Sequence, residues 1–450
     1  MSCTVLRSTN TVDQSVNVFP PNGYVSVVRI VRNYDVENGN VFKFRSDAQK
    51  YFKAVGGTIT CPALGVIDPV TEITLNPSRD IFFKLDEGRE FAYLAWKDAD
   101  RIMGVSNDDG GTFYGAFADY SLGLHAADVV SINGICISNG NFNQRVNTWD
   151  VSEVVDAGFT FAEAINFDRE INWYAPKLQW MNNFLFNAKK FNKDITLRAA
   201  KPKSMLAFLS GAISFNSKLN IDTSECTDFG SMFASCPKFN QSISNLNFKS
   251  ALSIDNLFYG AKEFNQPLDF GNMLQLTQAN YVFAESNFNN TIKFNAPNLL
   301  SVSGWFSNNT KFNSRITVGF GNVTSMAFMF WYASSFNQPI NDWDIRKVES
   351  FVGFLTGATS FNQDLSSWPS KFNVNAVIEG VSVAPNWSTE NYDKYLNALW
   401  LDVGTTRKNE WQNSLGPRTV LASVKRSAAS QAAVSGLVGE GWTIVDGGQA

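Results

Sequence analysis

Ten copies of one short phrase fill the middle of this sequence. Each copy has a phenylalanine, a polar residue that is Asn in nine of the ten copies, two variable residues and an aliphatic residue. The phenylalanines, called the anchors below, follow one another at intervals of 24 or 25 residues; they are Phe142, Phe167, Phe191, Phe215, Phe239, Phe264, Phe288, Phe312, Phe336 and Phe361. A period this regular predicts a stack of equivalent units, which is a solenoid.

Two further signals precede most anchors. An aromatic residue or leucine stands six places before the anchor, with Phe283 one place out of register, and a small residue is common three places before it. Residues at this spacing share one face of a tight helical turn, so such a turn is predicted before each anchor. The phrase from Phe to the aliphatic residue is predicted to be a short strand. Ten such strands in one parallel sheet would give an array about 45–50 Å long, at about 4.8 Å per strand.

The Asn after each anchor favours a structural explanation. These residues are Asn143, Asn192, Asn216, Asn240, Asn265, Asn289, Asn313, Asn337 and Asn362, and Asp168 takes the place in the second copy. An amide buried at a corner can bond to the backbone of its own unit and of the next, so identical copies are predicted to form a ladder. A binding role is disfavoured because ten equal groups along a stack do not make one specific site.

Three regions of the chain differ in pattern. Residues 1–127 have no period and are predicted to form a mixed, mostly β N-terminal domain for attachment or oligomerisation. Residues 128–380 hold the repeats, and Val129–Ile137 is predicted to be a strand that caps them. Residues 381–450 are predicted to form a C-terminal cap of helices and a strand, because a stack needs atypical ends to cover its last apolar face.

Local patterns predict the elements of the two flanking regions. In the N-terminal region, strands are predicted at Tyr24–Val31, Val41–Phe44, Ile73–Leu75 and Ile81–Leu85, and Ser46 is predicted to cap a short helix through Phe52. In the C-terminal region, Ser388 or Thr389 is predicted to cap a helix with the apolar face Tyr392, Tyr395, Leu396, Leu399 and Trp400. A second helix is predicted at about Ser427–Val438, and a closing strand at Trp442–Val445.

Composition and charge argue against several classes of partner. The net charge of −4 and the isoelectric point near 5.3 give no basic footprint for DNA or RNA. Met1–Pro21 lacks the apolar segment of a signal peptide, and no run approaches the roughly 20 apolar residues of a membrane helix. The chain is therefore expected to be made and kept in a cytoplasm, or to leave it by a route that needs no signal peptide.

The sequence offers little for catalysis or cofactor binding. Five cysteines without CxxC spacing predict neither a disulfide framework nor a zinc site, and Cys226 and Cys236 are expected to be a reduced, buried pair. His125 is the only histidine, with no nucleophile-elbow motif near it, so a surface or capping role is favoured. The turn Ser106–Gly111 does not match a calcium loop. No cofactor is predicted, and paired carboxylates leave a glycosidase as the enzyme alternative.

Recognition would use the variable residues between anchors, which predict a polar, non-uniform surface. Pairs such as Arg169/Glu170, Lys193/Asp194 and Ser314/Arg315 belong to it. Seven places after four of the anchors stand aromatic residues that are candidate ligand contacts, Trp149, Tyr174, Trp343 and Trp368. Exposed aromatics on a rigid scaffold are typical contact residues. The alternative, which we favour, is that these four side chains close each unit as core.

Several phrases resemble one known family of repeats. FYGAKEFNQPL and FWYASSFNQPINDWDIRKVESF follow the form F-x-x-A-x-x-F-N-x-x-L-x-x-W of the BspA-like leucine-rich repeat surface proteins. The ending, NYDKYLNALW followed by SAASQAAVSGLVGEGWTIVDGG, is similar to the C-terminal cap of that family. The resemblance covers about residues 137–448. It implies an α+β fold, a leucine-rich-repeat-like solenoid of about ten coils with a parallel β-sheet.

The resemblance also implies a function. Members of the family are largely bacterial surface proteins that bind proteins or mediate adhesion without catalysis, and related repeats occur in bacteriophage proteins. We therefore expect a non-enzymatic recognition or structural protein on a virion surface, such as a decoration, fibre or receptor-binding protein. Its expected partners are other virion proteins or a host receptor, protein or glycan, with a homo-oligomer formed through residues 1–127. The alternatives are a bacterial cell-surface adhesin and a glycan-degrading spike.

Overall fold

The computed structural model describes residues 151–450 throughout, residues 132–149 except 135, 139, 141, 144 and 148, and the strand backbones between Ser26 and Asp119. The chain divides into two compact units. One comprises residues 1–135, 144–155 and 173–175, and the other comprises the remaining residues up to Ala450.

Nine strands in the N-terminal region form two antiparallel sheets. The described strands are β1 Ser26–Val31, β2 Val41–Arg45, β3 Lys50–Val55, β4 Ile59–Cys61, β5 Gly65–Ile67, β6 Ile73–Leu75, β7 Asp80–Leu85, β8 Phe91–Lys97 and β9 Phe117–Asp119. A five-stranded sheet has the order β6–β3–β8–β1–β9, and a four-stranded sheet has the order β2–β7–β4–β5.

Four of the predicted strands in this region are confirmed, and the predicted helix is wrong. The patterns at Tyr24–Val31, Val41–Phe44, Ile73–Leu75 and Ile81–Leu85 correspond to β1, β2, β6 and β7. The segment after Ser46 instead forms β3, which pairs with β6 and β8. Its sequence KYFKAV is rich in strand-forming aromatic and β-branched residues, and its partners favour a strand over a marginal short helix. The loop Ser106–Gly111 and His125 lie outside the described residues.

The repeated units are joined by a continuous line of parallel bridges. One residue of each unit, eleven places before its anchor in most copies, pairs with its equivalent in the next unit, in the order Asp156, Trp180, Ser204, Asp228, Ser253, Gln278, Ser301, Ser325, Ser350 and Val377. This line begins at the second anchor's unit and continues past the last anchor. The units are therefore in register along the whole described array.

The backbone after each bridge forms a run of β-turns, which corrects the predicted helical turn. In the unit of Phe239, the N–H groups of Phe229, Ser231, Phe233 and Ser235 donate to carbonyls of the next unit over 2.7–3.2 Å. Of the intervening N–H groups, those of Met232 and Ala234 donate three residues back within their own unit, and that of Gly230 donates to Asp228 Oδ1 at 2.9 Å. Residues eight and four places before the anchor have positive φ, as at Ser231 and Ser235, so a helix cannot form there.

The anchors stack in one buried column. Successive anchor rings lie 5.6–6.5 Å apart between centroids and are nearly parallel. Each anchor is at most 2% exposed. The aromatic residue upstream lies on the same face as predicted, since Phe233 stacks on Phe239 at 4.2 Å and Phe306 on Phe312 at 3.6 Å. Burial of this column supplies much of the apolar stabilisation of the array.

The regular strands lie four residues later than predicted, and the sheet is in pieces. They begin at the aliphatic residue: β10 Ile171–Tyr174, β11 Ile195–Arg198, β12 Leu219–Ile221, β13 Leu268–Asn272 and β14 Ile292–Asn295. β10, β11 and β12 form one sheet, and β13 and β14 another; both contain parallel pairs. The one continuous sheet of ten strands is therefore wrong for the described residues, and the bridges upstream of the anchors provide the continuous pairing.

The spacing of apolar residues separates the units with a strand from the units with a turn in all but one case. In strand units a second apolar residue follows the aliphatic one after two places, as Leu197 follows Ile195. Where it follows after three places a turn forms; Trp343 N–H donates to Ile340 O at 3.2 Å and Trp368 N–H to Leu365 O at 3.0 Å. The exception is the unit of Phe312, where Val318 follows Ile316 after two places and no regular strand is formed. Alternation buries one face of a strand, whereas a spacing of three suits a turn.

The predicted cap strand at Val129–Ile137 is wrong for its described residues. Asn133, Gly134, Cys136 and Ile137 lie in turns, and Gly134 has a φ of 67°. Gly134 stands eight places before Phe142, so this segment follows the turn pattern of the other units. Val129, Val130, Ser131 and Ile135 are outside the described residues.

The C-terminal region contains the two predicted helices and the predicted strand, with one more short helix and one more strand. α1 Thr389–Leu401 begins where the Ser388 side chain accepts from Asn391 N–H at 3.2 Å. A π-helical turn at residues 402–406 leads to α2 Lys408–Gln412, and then follow β15 Thr419–Leu421, α3 Gln431–Gly439 and β16 Thr443–Val445. β15 pairs with β16 in parallel.

The described cysteines are free and buried, and we expect them to be unreactive. Burial raises the pKa of Cys226 and of Cys236 to about 12. At pH 8 the thiolate fraction is then on the order of 10⁻⁴. Iodoacetamide at pH 8 should leave both residues unlabelled in the folded protein and label both in guanidinium, as read by peptide mass spectrometry. Equal labelling rates in the two conditions would contradict this burial.

Candidate recognition surface

Three of the four candidate ligand contacts are core residues. Trp149, Trp343 and Trp368 are 4%, 6% and 0% exposed, whereas Tyr174 is 55% exposed. The three tryptophans stand three places after a buried aliphatic residue, where the turn points them inward; the Trp368 Nε1–H donates to Ile340 O at 3.1 Å. Tyr174 follows Trp173 in strand β10, so alternation turns it outward. The tryptophans therefore cannot contact a ligand on the surface.

The Asn side chains form a ladder at the surface. Each side-chain oxygen from Asn143 onward accepts a hydrogen bond from the backbone N–H of the equivalent residue in the next unit, over 2.8–3.0 Å. The last oxygen, of Asn362, accepts from Ser388 N–H at 2.8 Å, which connects the ladder to the start of α1. The side chains are half-buried or exposed, not buried at a corner as predicted.

Removing one ladder oxygen should cost about 0.5–1.5 kcal/mol of unfolding free energy. Asn240 is suitable because its oxygen accepts from Asn265 N–H at 3.0 Å and from Gln266 Nε2 at 3.0 Å. Asn240→Asp is the matched control, since it keeps an acceptor oxygen as Asp168 does naturally. Urea denaturation of both variants measures the difference. A loss as large for Asn240→Asp as for Asn240→Ala would contradict the acceptor role.

The line of parallel bridges has an outer face that we call the ladder face; the name refers to these bridges and not to the Asn ladder. This face presents the side chains eleven, nine, eight, five and four places before each anchor. Small and polar residues predominate at these positions, among them Ser231, Ser235 and Asn256. Six units carry an exposed large apolar residue there instead, one place closer to the anchor in the unit of Phe288; these residues are Phe159, Trp180, Leu206, Tyr281, Tyr332 and Val352. The ladder face is thus uneven along its length, which is the property that a specific contact surface needs.

Aromatic residues from the units of Phe288 and Phe336 border a cavity on this face. The cavity, called the aromatic cleft below, has a volume of about 210 Å³ and is lined by Tyr281, Ser307, Phe328 and Trp331. Phe328 and Trp331 meet edge to face at 6.3 Å, and Trp331 meets Tyr332 in the same way at 4.7 Å. Tyr332 is half exposed beside the cleft.

Glycines make room for these rings. A Cβ on Gly304 would lie 2.3 Å from the Tyr281 ring, and a Cβ on Gly353 would lie 2.6 Å from the Phe328 ring. Each ring therefore lies against the glycine of the following unit. At this place in the turn run, eight residues before the anchor in three units and seven in the unit of Phe288, the chain alternates Tyr281, Gly304, Phe328 and Gly353. The two aromatic walls are therefore separated by a unit with glycine at that place.

Polar groups adjoin the cleft. The Ser303 and Ser325 hydroxyls are 2.8 Å apart, and the Asn280 side chain accepts from Ser301 Oγ at 2.6 Å. Glu285, whose N–H donates to Ser307 O, directs its carboxylate to the Tyr259 hydroxyl at 2.7 Å. That carboxylate raises the pKa of Tyr259. The cleft lining itself contains no charged side chain among the described residues.

In the described part of the chain, no group of three His, Cys, Asp or Glu side chains is arranged to hold a metal ion. None of the helices described is both long and apolar enough to span a bilayer. Sequence reasoning missed the cleft residues; the signal was present, since Tyr281, Phe328, Trp331 and Tyr332 stand where most units carry small or polar residues.

Comparison with known proteins identifies the repeats. The family described as "Mycoplasma protein of unknown function, DUF285" matches residues 123–220, 199–294 and 283–391. Each match covers about four of the units, and together they span residues 123–391, which is more than half of the chain. No curated protein and no solved structure matches it. The chain belongs to the DUF285 family.

Proposed function

We propose that the repeated units form a leucine-rich-repeat-like solenoid of the BspA-like kind and that this solenoid is a non-enzymatic recognition scaffold. The observation that carries the proposal is the ladder face, where exposed aromatic side chains stand on a backbone held in register from unit to unit. A surface held in this way loses little conformational entropy on binding, so aromatic contacts on it yield more affinity. The partner is another virion protein or a surface receptor, protein or glycan.

The carboxyl groups with a resolved pKa shift do not provide the general acid of a glycosidase. A glycosidase needs a carboxyl group with a raised pKa to act as general acid. The resolved shifts of the described carboxyl groups are all in the other direction. Hydrogen bonds from Arg346 lower the pKa of Asp344, hydrogen bonds from Ser224 lower that of Asp222, and Lys408 lowers that of Glu440.

We propose display on the outer surface of a virion, as a decoration, fibre or receptor-binding component made in the host cytoplasm. The resemblance of the repeats to those of bacteriophage proteins supports this setting. The second candidate is an adhesin on a bacterial cell surface, which the name Mycoplasma in the family description favours. In both settings the array provides the binding surface.

Location and chemistry can each be tested. Mass spectrometry of purified virions and of peptides shaved from intact cells should find the chain in one of these two surface fractions. Its recovery from the cell interior alone would defeat surface display. Incubation with host surface polysaccharide should release no new reducing ends, whereas their steady release would assign a glycan-degrading spike in place of a binder.

A further inference from the structure

We propose that the aromatic cleft binds one neutral sugar ring of a glycan, an inference that rests on the proposed recognition function and names its ligand. The two walls are formed by Tyr281 on one side and by Phe328 and Trp331 on the other. They belong to units two repeats apart, which is about 10 Å at about 4.8 Å per parallel strand. The Tyr281 ring lies against Gly304 and the Phe328 ring against Gly353, so both rings lean toward the following unit and the cavity of about 210 Å³ remains between the walls.

A hydroxyl group lies at the floor of the cleft. Ser307 is 6% exposed and lines the cavity, and its Oγ makes no hydrogen bond to another described residue. This oxygen is not among the buried side-chain atoms without a partner, so it is accessible from the cavity and a ligand hydroxyl can replace water there. A sugar hydroxyl can both donate to and accept from Ser307, which suits a neutral polyhydroxylated ligand.

The chemistry of the walls fits the two faces of a pyranose. The C–H groups on one face of such a ring make dispersion contacts with an aromatic ring, while its hydroxyls point outward at the rim. The Ser303 carbonyl accepts from the Tyr281 N–H at 2.8 Å, so Ser303 is next to one wall, and its hydroxyl is 2.8 Å from that of Ser325. The absence of a charged side chain from the described lining disfavours an ionic ligand, whose burial would need a partner of opposite charge.

The backbone supplies an independent observation. Tyr281, Phe328 and Tyr332 have φ values of 54°, 58° and 53°. This left-handed region costs a bulky residue roughly 1–2 kcal/mol, and Gly or Asn occupies the equivalent place in about half of the other units, with Phe159, Ala207 and Ser231 among the exceptions. The three rings are not fully buried, so core packing does not compensate for this cost. Strained residues of this kind concentrate at functional sites.

Titration with named oligosaccharides tests the proposal. Maltohexaose, cellohexaose, chitohexaose and laminarihexaose are added separately to the full chain, with tryptophan fluorescence and saturation-transfer NMR as readouts. At least one should bind, and Trp331→Ala and Tyr281→Asn should each weaken its binding roughly tenfold or more. Both variants introduce a residue that other units carry at that position, Ala234 and Asn256 respectively, so both are expected to fold. Thermal melts check this.

Trp180→Ser is the matched control, because Trp180 is an exposed tryptophan of the ladder face outside the cleft and most units have Ser there. It should bind the saccharide as the unaltered chain does. Binding of none of the four saccharides, equal losses in Trp331→Ala and Trp180→Ser, or binding of decaproline in the cleft would overturn the proposal. Retention on intact cells tests the recognition function separately. If the chain is retained by cells but binds none of the saccharides, only the assignment of a sugar ligand is refuted.

Discussion

Phe239→Ala is expected to lower the unfolding free energy by about 3–5 kcal/mol. The Phe239 ring is 1% exposed and stacks on Phe215 at 5.6 Å, Phe264 at 5.7 Å and Phe233 at 4.2 Å. Its removal leaves a cavity in the middle of the anchor column. Because each unit is supported by its neighbours, the loss should extend along the array.

Chemical denaturation and hydrogen exchange measure this effect. Exchange should speed up for the N–H groups of Ser231 and Ser235 and for their equivalents in the adjoining units. Lys249→Ala, at an exposed position, is the control and should have the same melting temperature as the unaltered protein. Equal melting temperatures for the two variants would contradict the core role of the anchors.

Arg407→Ala is expected to destabilise the C-terminal region by about 3–5 kcal/mol. Arg407 pairs with Asp402 at 2.7 Å and donates to Phe372 O at 2.8 Å and Pro369 O at 2.7 Å. The Asp402 side chain is 3% exposed. Without Arg407, the side-chain hydrogen bond that remains to its carboxylate is the one from Trp411 Nε1–H, at 2.8 Å. The variant therefore leaves a buried carboxylate and two carbonyls without their partner.

Arg346→Ala is the matched control, because Arg346 also pairs with an aspartate at 2.7 Å but its side chain is 74% exposed. Solvent screens such a pair, so its loss should hardly change the melting temperature. Thermal and urea unfolding of both variants give the comparison. Similar small changes in the two would show that the Arg407 network does not stabilise the end of the array.

The period of the anchors predicted the stacking, but not which segment carries the backbone pairing. Phe239 and its equivalents lie in one column as their spacing implied, since a repeat places equivalent residues at equivalent sites. The bridges at Asp228 and Ser253 are made by residues that differ between units, and backbone bonds leave no signature in side-chain identity. Positive φ values at residues such as Ser231 and Ser235 distinguish the run of turns from a helix, and these values are seen only in the structure.

The candidate contacts illustrate a second limit. Trp343 and Tyr174 stand at the same distance from their anchors, yet one is buried and the other exposed. The difference follows from the spacing between the aliphatic residue and the next buried tryptophan. Trp343 stands three places after Ile340, whereas Trp173 stands two places after Ile171, and both spacings can be read from the sequence. The aromatic cleft required the structure, because its walls come from Tyr281 and Trp331 in units two repeats apart.

Retention of the fluorescently labelled full chain on a panel of intact bacterial and animal cells tests recognition most directly. The unaltered chain and Trp180→Ser should be retained equally by at least one cell type. The double variant Tyr281→Asn/Trp331→Ala, with an unchanged melting temperature, should lose most of that retention. Equal retention of all three chains, or retention of none, would contradict recognition through the ladder face.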